Sequence, residues 1–173
     1  PEIQIVAVCD PNTDSSDYVE WGKGSVRNLI RGYLGNSTWR ENDNGCPGGR
    51  EIGREVVDTY YAKQRGADRF KACTAYADFR ELLDKEKDLD AVKVMTPDHL
   101  HATVSIAAMK KGKHVMMHKP LANRMYEARL VIETARKMNA ATHLLAYGSG
   151  QSNAKIAGII KEAVRDSDTV GRL

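Results

Sequence analysis

The chain has 173 residues, of which 42% are hydrophobic and 28% are charged, values typical of a globular protein that can bury a sizeable core. Its formal net charge of +3, spread over 26 basic and 23 acidic side chains, is too weak and too dispersed to indicate a nucleic-acid-binding protein. No apolar run approaches the roughly 20 residues that a membrane-spanning helix needs.

The three cysteines, Cys9, Cys46 and Cys73, form no C-x-x-C pair, so they indicate neither a disulfide framework nor a zinc site. Cys9 and Cys73 lie in apolar stretches and are predicted to be small core residues. Free cysteines favour a reducing compartment. We therefore expect a cytoplasmic location, with the periplasm as the alternative because a targeting signal would precede Pro1.

The first predicted element is a strand over residues 3–9, whose β-branched run is typical of a strand buried on both faces. The turn Asp10-Pro11-Asn12 ends it. A long, polar, glycine-rich segment follows over residues 13–49. A loop of this length is unusual in a compact domain, so the segment is either functional or contains short helical pieces such as residues 25–34.

Helices and strands alternate through the rest of the chain. In order, the patterns predict a helix over 50–65, a strand over 69–74, a helix over 78–87, a strand over 90–96, a helix over 99–111, a strand over 113–118, a helix from 124 to 138, a strand over 140–147 and a helix over 152–165. Asp98 and Asn123 are predicted N-caps, and Gly112 a helix end. This alternation predicts βαβ units with a parallel sheet, whose ligands bind at the carboxyl ends of the strands.

Asp10 follows the first predicted strand and is the first candidate site residue. An acid at the end of the second strand of a dinucleotide-binding fold accepts hydrogen bonds from the adenosine ribose. The alternative is a turn-forming Asp before proline. The phosphate-binding motif G-x-G-x-x-G is absent from the chain and would lie about 20 residues upstream of this acid, before Pro1.

The second candidate cluster is Thr96-Pro97-Asp98-His99-Leu100-His101, at a strand end and the first turn of a helix. Backbone N–H groups at such a position suit an anion or a ribose. His99 and His101 are two residues apart and do not share a helix face, so they do not indicate a metal site.

The third cluster surrounds Lys119, in His118-Lys119-Pro120 at the end of another predicted strand. A lysine there is a proton donor, an electrostatic stabiliser or a solvated surface charge. His114 and His118 lie about 13 Å apart along a strand, too far to bind one metal ion. The chain contains no G-x-S-x-G, P-loop or H-E-x-x-H motif.

Together the three clusters resemble the glucose–fructose oxidoreductase/inositol dehydrogenase family, Gfo/Idh/MocA. The resemblance rests on the 96–101 motif, the run Gly112-Lys113-His114-Val115 and the run His118-Lys119-Pro120, and it extends from residue 3 to residue 173 with 13–49 as an unusually long insertion. It implies an α/β Rossmann-type doubly wound parallel sheet, incomplete because the first strand and Gly-rich loop would precede Pro1, followed by the start of a C-terminal α/β domain. Residues 1–147 would be the NAD(P)-binding domain and residues 148–173 a connecting helix and the start of the substrate domain.

The resemblance also implies roles for individual residues. Catalysis is expected from Lys119, near the nicotinamide and the reacting carbon, beside His118, which replaces the family's usual glutamate and leaves the protonation state of the lysine open. Asp10 would bind the ribose and favour NAD over NADP. The remaining cofactor-binding candidates, two of them from position alone, are Thr96, Pro97, Asp98, His101, Lys119, Arg50 and Gln151.

The function implied is NAD(P)-dependent oxidation of a secondary alcohol of a sugar, inositol or related polyol. One alternative is an NAD-dependent glycoside hydrolase that oxidises C3 transiently, and another is a non-catalytic dinucleotide-binding or scaffold domain. The implied partners are a small sugar or polyol and further copies of the chain, associated through the C-terminal domain.

Overall fold

The computed structural model describes residues 3–18, 22, 24–71 and 73–145. The chain divides into two compact units, Pro1–Glu86 and Lys87–Leu173, and each is described by itself. Gln151, the predicted helix over 152–165 and the predicted domain boundary after residue 147 lie outside the described residues. No helix in the described ranges is long and apolar enough to cross a membrane.

The first unit contains two small sheets and three helices. Its elements are β1 (Ala7–Cys9), β2 (Ser15–Tyr18), α1 (Ser25–Leu34), β3 (Cys46–Gly48), α2 (Arg50–Gln64), β4 (Thr74–Tyr76) and α3 (Phe79–Lys85). Strand β1 pairs with β4 in parallel, and β2 pairs with β3 antiparallel. Helices α2 and α3 pack on β1 and β4. The core there is built from Ile52, Tyr61, Tyr76, Leu82 and Leu83.

The predicted strand over residues 3–9 is shorter and more exposed than expected. Only residues 7–9 form β1, Ile3 and Ile5 are exposed, and Cys9 is exposed although it was predicted to be a core residue. The backbone N–H of Ile5 donates to the hydroxyl of Tyr61 instead of to a neighbouring strand (2.8 Å). Apolar sequence alone does not bury a strand, because cover on both faces comes from other elements.

The predicted strand over residues 69–74 is also displaced, since β4 begins at Thr74. Upstream of it, the ring of Phe70 packs edge-on against Tyr61 and lies beneath the guanidinium of Arg65. An apolar side chain can be buried by such ring contacts without strand pairing, which the sequence pattern does not distinguish.

The described residues of the long segment over 13–49 include a helix and two strands. The predicted helical piece over 25–34 is confirmed as α1, whose C-cap Gly35 takes a left-handed conformation (φ 68°). The pairing of β2 with β3 was not predicted, because Pro47 and Gly48 lie inside β3 and both residue types argue against a strand. At Gly49, φ is 112° and an added Cβ would lie 2.7 Å from the Thr13 carbonyl oxygen, so this junction needs glycine.

The described part of the second unit, residues 87–145, forms a three-stranded parallel sheet with two helices. Its elements are β5 (Ala91–Val94), α4 (Asp98–Lys110), β6 (His114–His118), α5 (Met125–Met138) and β7 (Thr142–Leu145), with strand order β5-β6-β7. Helix α4 packs on β5, β6 and α5. The most deeply buried large hydrophobic side chains are Val94, Met109, Val115, Met117 and Val131.

The helix ends of this unit match the prediction only in part. Gly112 follows α4 with φ 76°, as expected of a helix-ending glycine. Asp98, predicted to be the N-cap, is instead the first helical residue after Pro97. Arg124 rather than Asn123 is the N-cap of α5, and its N–H donates to the Glu127 carboxylate (3.1 Å).

Helix α5 carries apolar residues at helical spacing, of which Val131 is buried while Ile132 and Met138 are exposed. An apolar stripe predicts the inner face of a helix correctly only where another element covers it. Within the described part of this unit, other elements cover Val131 but leave Ile132 and Met138 exposed.

Candidate functional site

In the first unit the candidate residues surround the carboxyl end of β1. The N–H of Asp10 donates to the Tyr76 carbonyl (3.0 Å), which extends the parallel pairing by one residue. The Asp10 Oδ1 atom accepts the N–H of Asn12 (2.8 Å), so the predicted turn is confirmed. The half-buried carboxylate of Asp10 is thereby held at the strand end where open α/β sheets bind ligands.

Arg50 holds the same turn from the start of α2. Its guanidinium donates to the carbonyls of Asp10 (3.2 Å) and Pro11 (2.9 Å) and to the hydroxyl of Thr13 (2.7 Å). The backbone N–H of Arg50 also donates to the Asn12 carbonyl (3.0 Å). These contacts make Arg50 a residue that positions Asp10. Its direct binding of the adenine or ribose stays a prediction.

In the second unit the candidates lie at the carboxyl ends of two neighbouring strands. The last registered pair of β5 and β6 before these residues is Val94–Met117, and Thr96 and Lys119 each follow it by two residues. Parallel register therefore brings them to the same edge of the sheet. The side chain of Lys119 is exposed, and the peptide bond between Lys119 and Pro120 is cis.

His101 joins the two strand ends from inside α4. Its ring is fully buried, with Nδ1 2.6 Å from the Pro120 carbonyl oxygen and Nε2 2.8 Å from the Thr96 carbonyl oxygen. A neutral imidazole donates one hydrogen bond, so both contacts are hydrogen bonds only when both ring nitrogens carry protons. His101 was predicted to bind the cofactor. In the structure the ring contacts the residues that follow β5 and β6, and its direct contact with the cofactor stays a prediction.

The hydroxyl oxygen of Thr96 is buried and has no hydrogen-bond partner among the residues that the structure describes. A buried hydroxyl without a partner is costly, and a ligand hydroxyl or phosphate oxygen would remove that cost. At a strand end of the second unit, this hydroxyl suits a ribose or phosphate oxygen of a dinucleotide.

The other predicted site residues of the second unit, Pro97, Asp98 and His118, are neighbours of Thr96 and Lys119 in the chain and differ in exposure. Pro97 and Asp98, at the start of α4, are exposed, and His118 ends β6 with a half-buried side chain.

Sequence reasoning missed Tyr18 and Asn12, whose side chains contact each other beside Asp10. Neither residue belongs to a motif, so only the tertiary structure identifies them.

The thiol of Cys9, next to Asp10, is not an activated nucleophile. Although much of the residue is exposed, partial burial of the thiol raises its pKa, and the carboxylates of Asp78 and Asp10 raise it further. The thiol therefore stays protonated near neutral pH. Within the described ranges, no cluster of three or more His, Cys, Asp or Glu side chains could hold a metal ion.

Parallel strands with polar residues at their carboxyl ends define a nucleotide-binding α/β protein. A family model described as "Oxidoreductase family, NAD-binding Rossmann fold" (Gfo/Idh/MocA) matches residues 53–146, more than half of the chain. The chain belongs to this family. The predicted Rossmann-type α/β fold and the family resemblance are confirmed.

Two curated relatives show how much of each protein is shared. Levoglucosan dehydrogenase of Pseudarthrobacter phenanthrenivorans is 35% identical over 81 residues, which cover 47% of this chain and 20% of the relative. Alpha-N-acetylgalactosaminidase of Shewanella oneidensis is 39% identical over 59 residues, covering 34% of this chain and 13% of the relative. The chain thus spans about a fifth or less of these proteins.

Among solved structures, a levoglucosan dehydrogenase in complex with NADH and levoglucosan matches 56% of this chain and 23% of that one. The identity is 28% and the TM-score is 0.42. At so low a TM-score the structural match adds nothing to the family assignment, which rests on the sequence.

Proposed function

We propose that the whole protein is an NAD-dependent dehydrogenase that oxidises a secondary alcohol of a sugar, inositol or related polyol. The observation that carries the proposal is the position of Thr96 and Lys119, each two residues beyond the last registered pair of β5 and β6, at one edge of a parallel sheet. His101 contacts the carbonyls of Thr96 and Pro120 at the two strand ends. The sugar class is supported by membership of the family and by the name of the levoglucosan dehydrogenase relative.

In this proposal each residue has a defined task. NAD, when bound, supplies the hydride acceptor. Lys119 accepts the proton of the substrate hydroxyl, a role that its exposed position at a strand end supports. The buried hydroxyl of Thr96 donates a hydrogen bond to the cofactor. His118, next to Lys119 in the chain, influences the charge of the lysine. Pro97 and Asp98 form the loop against the nicotinamide-side ribose.

The proposal assigns Asp10 to the adenosine ribose and NAD as the preferred cofactor. A carboxylate accepts hydrogen bonds from ribose hydroxyls and repels a 2′-phosphate. The hydrogen bond from the Asn12 N–H to Oδ1 supports this assignment because it holds the carboxylate of Asp10 at the strand end.

The test is Lys119→Ala in the whole natural protein. We expect kcat to fall roughly 10²- to 10⁴-fold on the preferred polyol, because a positioned acid–base group contributes about that much, while the Kd of NAD changes little. The matched control is Lys137→Ala, another exposed lysine of the second unit. An unchanged kcat in Lys119→Ala would remove the lysine from the mechanism.

A redox-neutral glycoside hydrolase is the second candidate, favoured by the similarity to alpha-N-acetylgalactosaminidase and by the histidine at position 118. Absorbance at 340 nm and sugar release, followed together, distinguish the two. NADH accumulating in step with product supports the dehydrogenase, whereas release of the aglycone without net NADH supports the hydrolase. Dinucleotide binding without either reaction would support a non-catalytic domain.

A further inference from the structure

Tyr18 is a residue of the long 13–49 segment that lies beside the predicted ribose acid. Its hydroxyl is 3.3 Å from Oδ2 and 3.4 Å from Oδ1 of Asp10. The side-chain amide of Asn12 donates to the same hydroxyl (2.6 Å). Because the Tyr18 oxygen already accepts a hydrogen from Asn12, its own hydrogen is directed to the carboxylate.

The ring of Tyr18 is positioned by the pairing of β2 with β3. Tyr18 is in register with Cys46, two residues before Gly48. A Cβ added at Gly48 would lie 2.6 Å from the Cε2 atom of the Tyr18 ring, closer than real Cβ contacts come. The ring therefore lies directly against the backbone of residue 48, and glycine there is what permits its position.

We propose that Tyr18 is a specificity-determining residue that, with Asp10, binds the 2′-hydroxyl of the adenosine ribose and disfavours a 2′-phosphate. The inference rests on the proposed function, in which Asp10 binds that ribose. The contacts of 3.3–3.4 Å are longer than a normal hydroxyl–carboxylate hydrogen bond, so a ribose hydroxyl beside the carboxylate can compete with it for the hydrogen of the Tyr18 hydroxyl. The Tyr18 ring also occupies space next to the carboxylate, where the bulkier phosphate would have to fit.

The first test is Tyr18→Phe in the whole natural protein, with NAD and NADP titrated by calorimetry. Removing one hydroxyl that binds only the 2′-hydroxyl form is expected to raise the Kd of NAD roughly three- to tenfold and to leave the Kd of NADP nearly unchanged. The matched control is Tyr33→Phe, because Tyr33 lies in the same segment and is 41% exposed against 39% for Tyr18. We expect neither Kd to change in the control.

The second test is Gly48→Ala, which keeps the hydroxyl of Tyr18 but forces its ring to move. This variant too should bind NAD more weakly, with a smaller loss of affinity for NADP. Equal weakening of both cofactors in Tyr18→Phe would reveal a purely structural role and overturn the inference. An unchanged Kd of NAD in either variant, with a wild type that binds NAD, would also overturn the inference. That result would leave the proposed function unaffected. Binding of neither dinucleotide by the wild-type protein would overturn both.

Discussion

Cys9 and Cys73 are the same residue type in similar apolar sequence, yet the structure treats them differently. Cys73 is buried, as predicted, and its N–H donates to the carboxylate of Asp58 (3.1 Å), whereas Cys9 is exposed. Burial, followed by the charge of Asp58, raises the pKa of the Cys73 thiol from 9.0 to about 11. Burial and a nearby carboxylate both oppose the thiolate, so the folded protein binds this proton more tightly than the unfolded chain does.

This pKa shift predicts a loss of stability at alkaline pH. Above pH 9 the unfolded chain releases the Cys73 proton, while the folded protein retains it until about pH 11, so the stabilisation present below pH 9 disappears across that interval. Urea titrations at pH 8 and pH 11 should show the wild type losing roughly 2 kcal/mol more than Cys73→Ala. Equal losses in the two proteins would show that the folded thiol has an ordinary pKa.

At the scale of elements, the helices were easier to predict than the strands. The boundaries of α1 and α4 follow from amphipathic spacing and from glycines with positive φ at Gly35 and Gly112, which are local properties. The strands β1 and β4 are each three residues long, and their bounds depend on which residues find a partner strand. Pairing is a non-local property, so the apolar run over 69–74 predicted a strand in the wrong place.

The contacts of His101 predict that the stability of the second unit depends on this one buried ring. Replacing His101 with alanine removes the ring that contacts the carbonyls of Thr96 and Pro120 and creates a cavity at a fully buried position. We expect the free energy of unfolding to fall by about 2–4 kcal/mol in urea titration. The control His99→Ala removes an exposed histidine of the same helix and should change stability by less than about 0.5 kcal/mol. A similarly small change in His101→Ala would mean that water or the loops themselves replace the ring.

At the scale of the whole molecule, the family is established and the activity is proposed. The family match covers residues 53–146, and the chain spans about a fifth or less of the compared relatives. The domain limits of 1–147 and 148–173, the association of copies and the cytoplasmic location stay predictions. So do the roles of Gln151 and of the residues predicted to contact the nicotinamide side.

Preference for NAD predicts unequal stabilisation of the whole natural protein by the two dinucleotides. A ligand that binds only the folded state at 100 times its Kd raises the free energy of unfolding by about 2.7 kcal/mol. Thermal unfolding with equal concentrations of each cofactor should therefore show a larger rise in Tm with NAD than with NADP. An equal rise with both would contradict the role assigned to Asp10, and Asp10→Ala should reduce the difference.

The sequence by itself determined the class of fold, the family and the candidate residues at the strand ends. Alternating periodicity and the motifs around Thr96 and Lys119 are properties of short stretches, so they can be read without coordinates. The tertiary structure alone decided that Arg50 holds the Asp10 turn, that His101 bridges two carbonyls and that Tyr18 lies beside the acid. Each of these contacts joins elements distant in sequence or side chains outside any motif, and packing rather than local preference selects such partners.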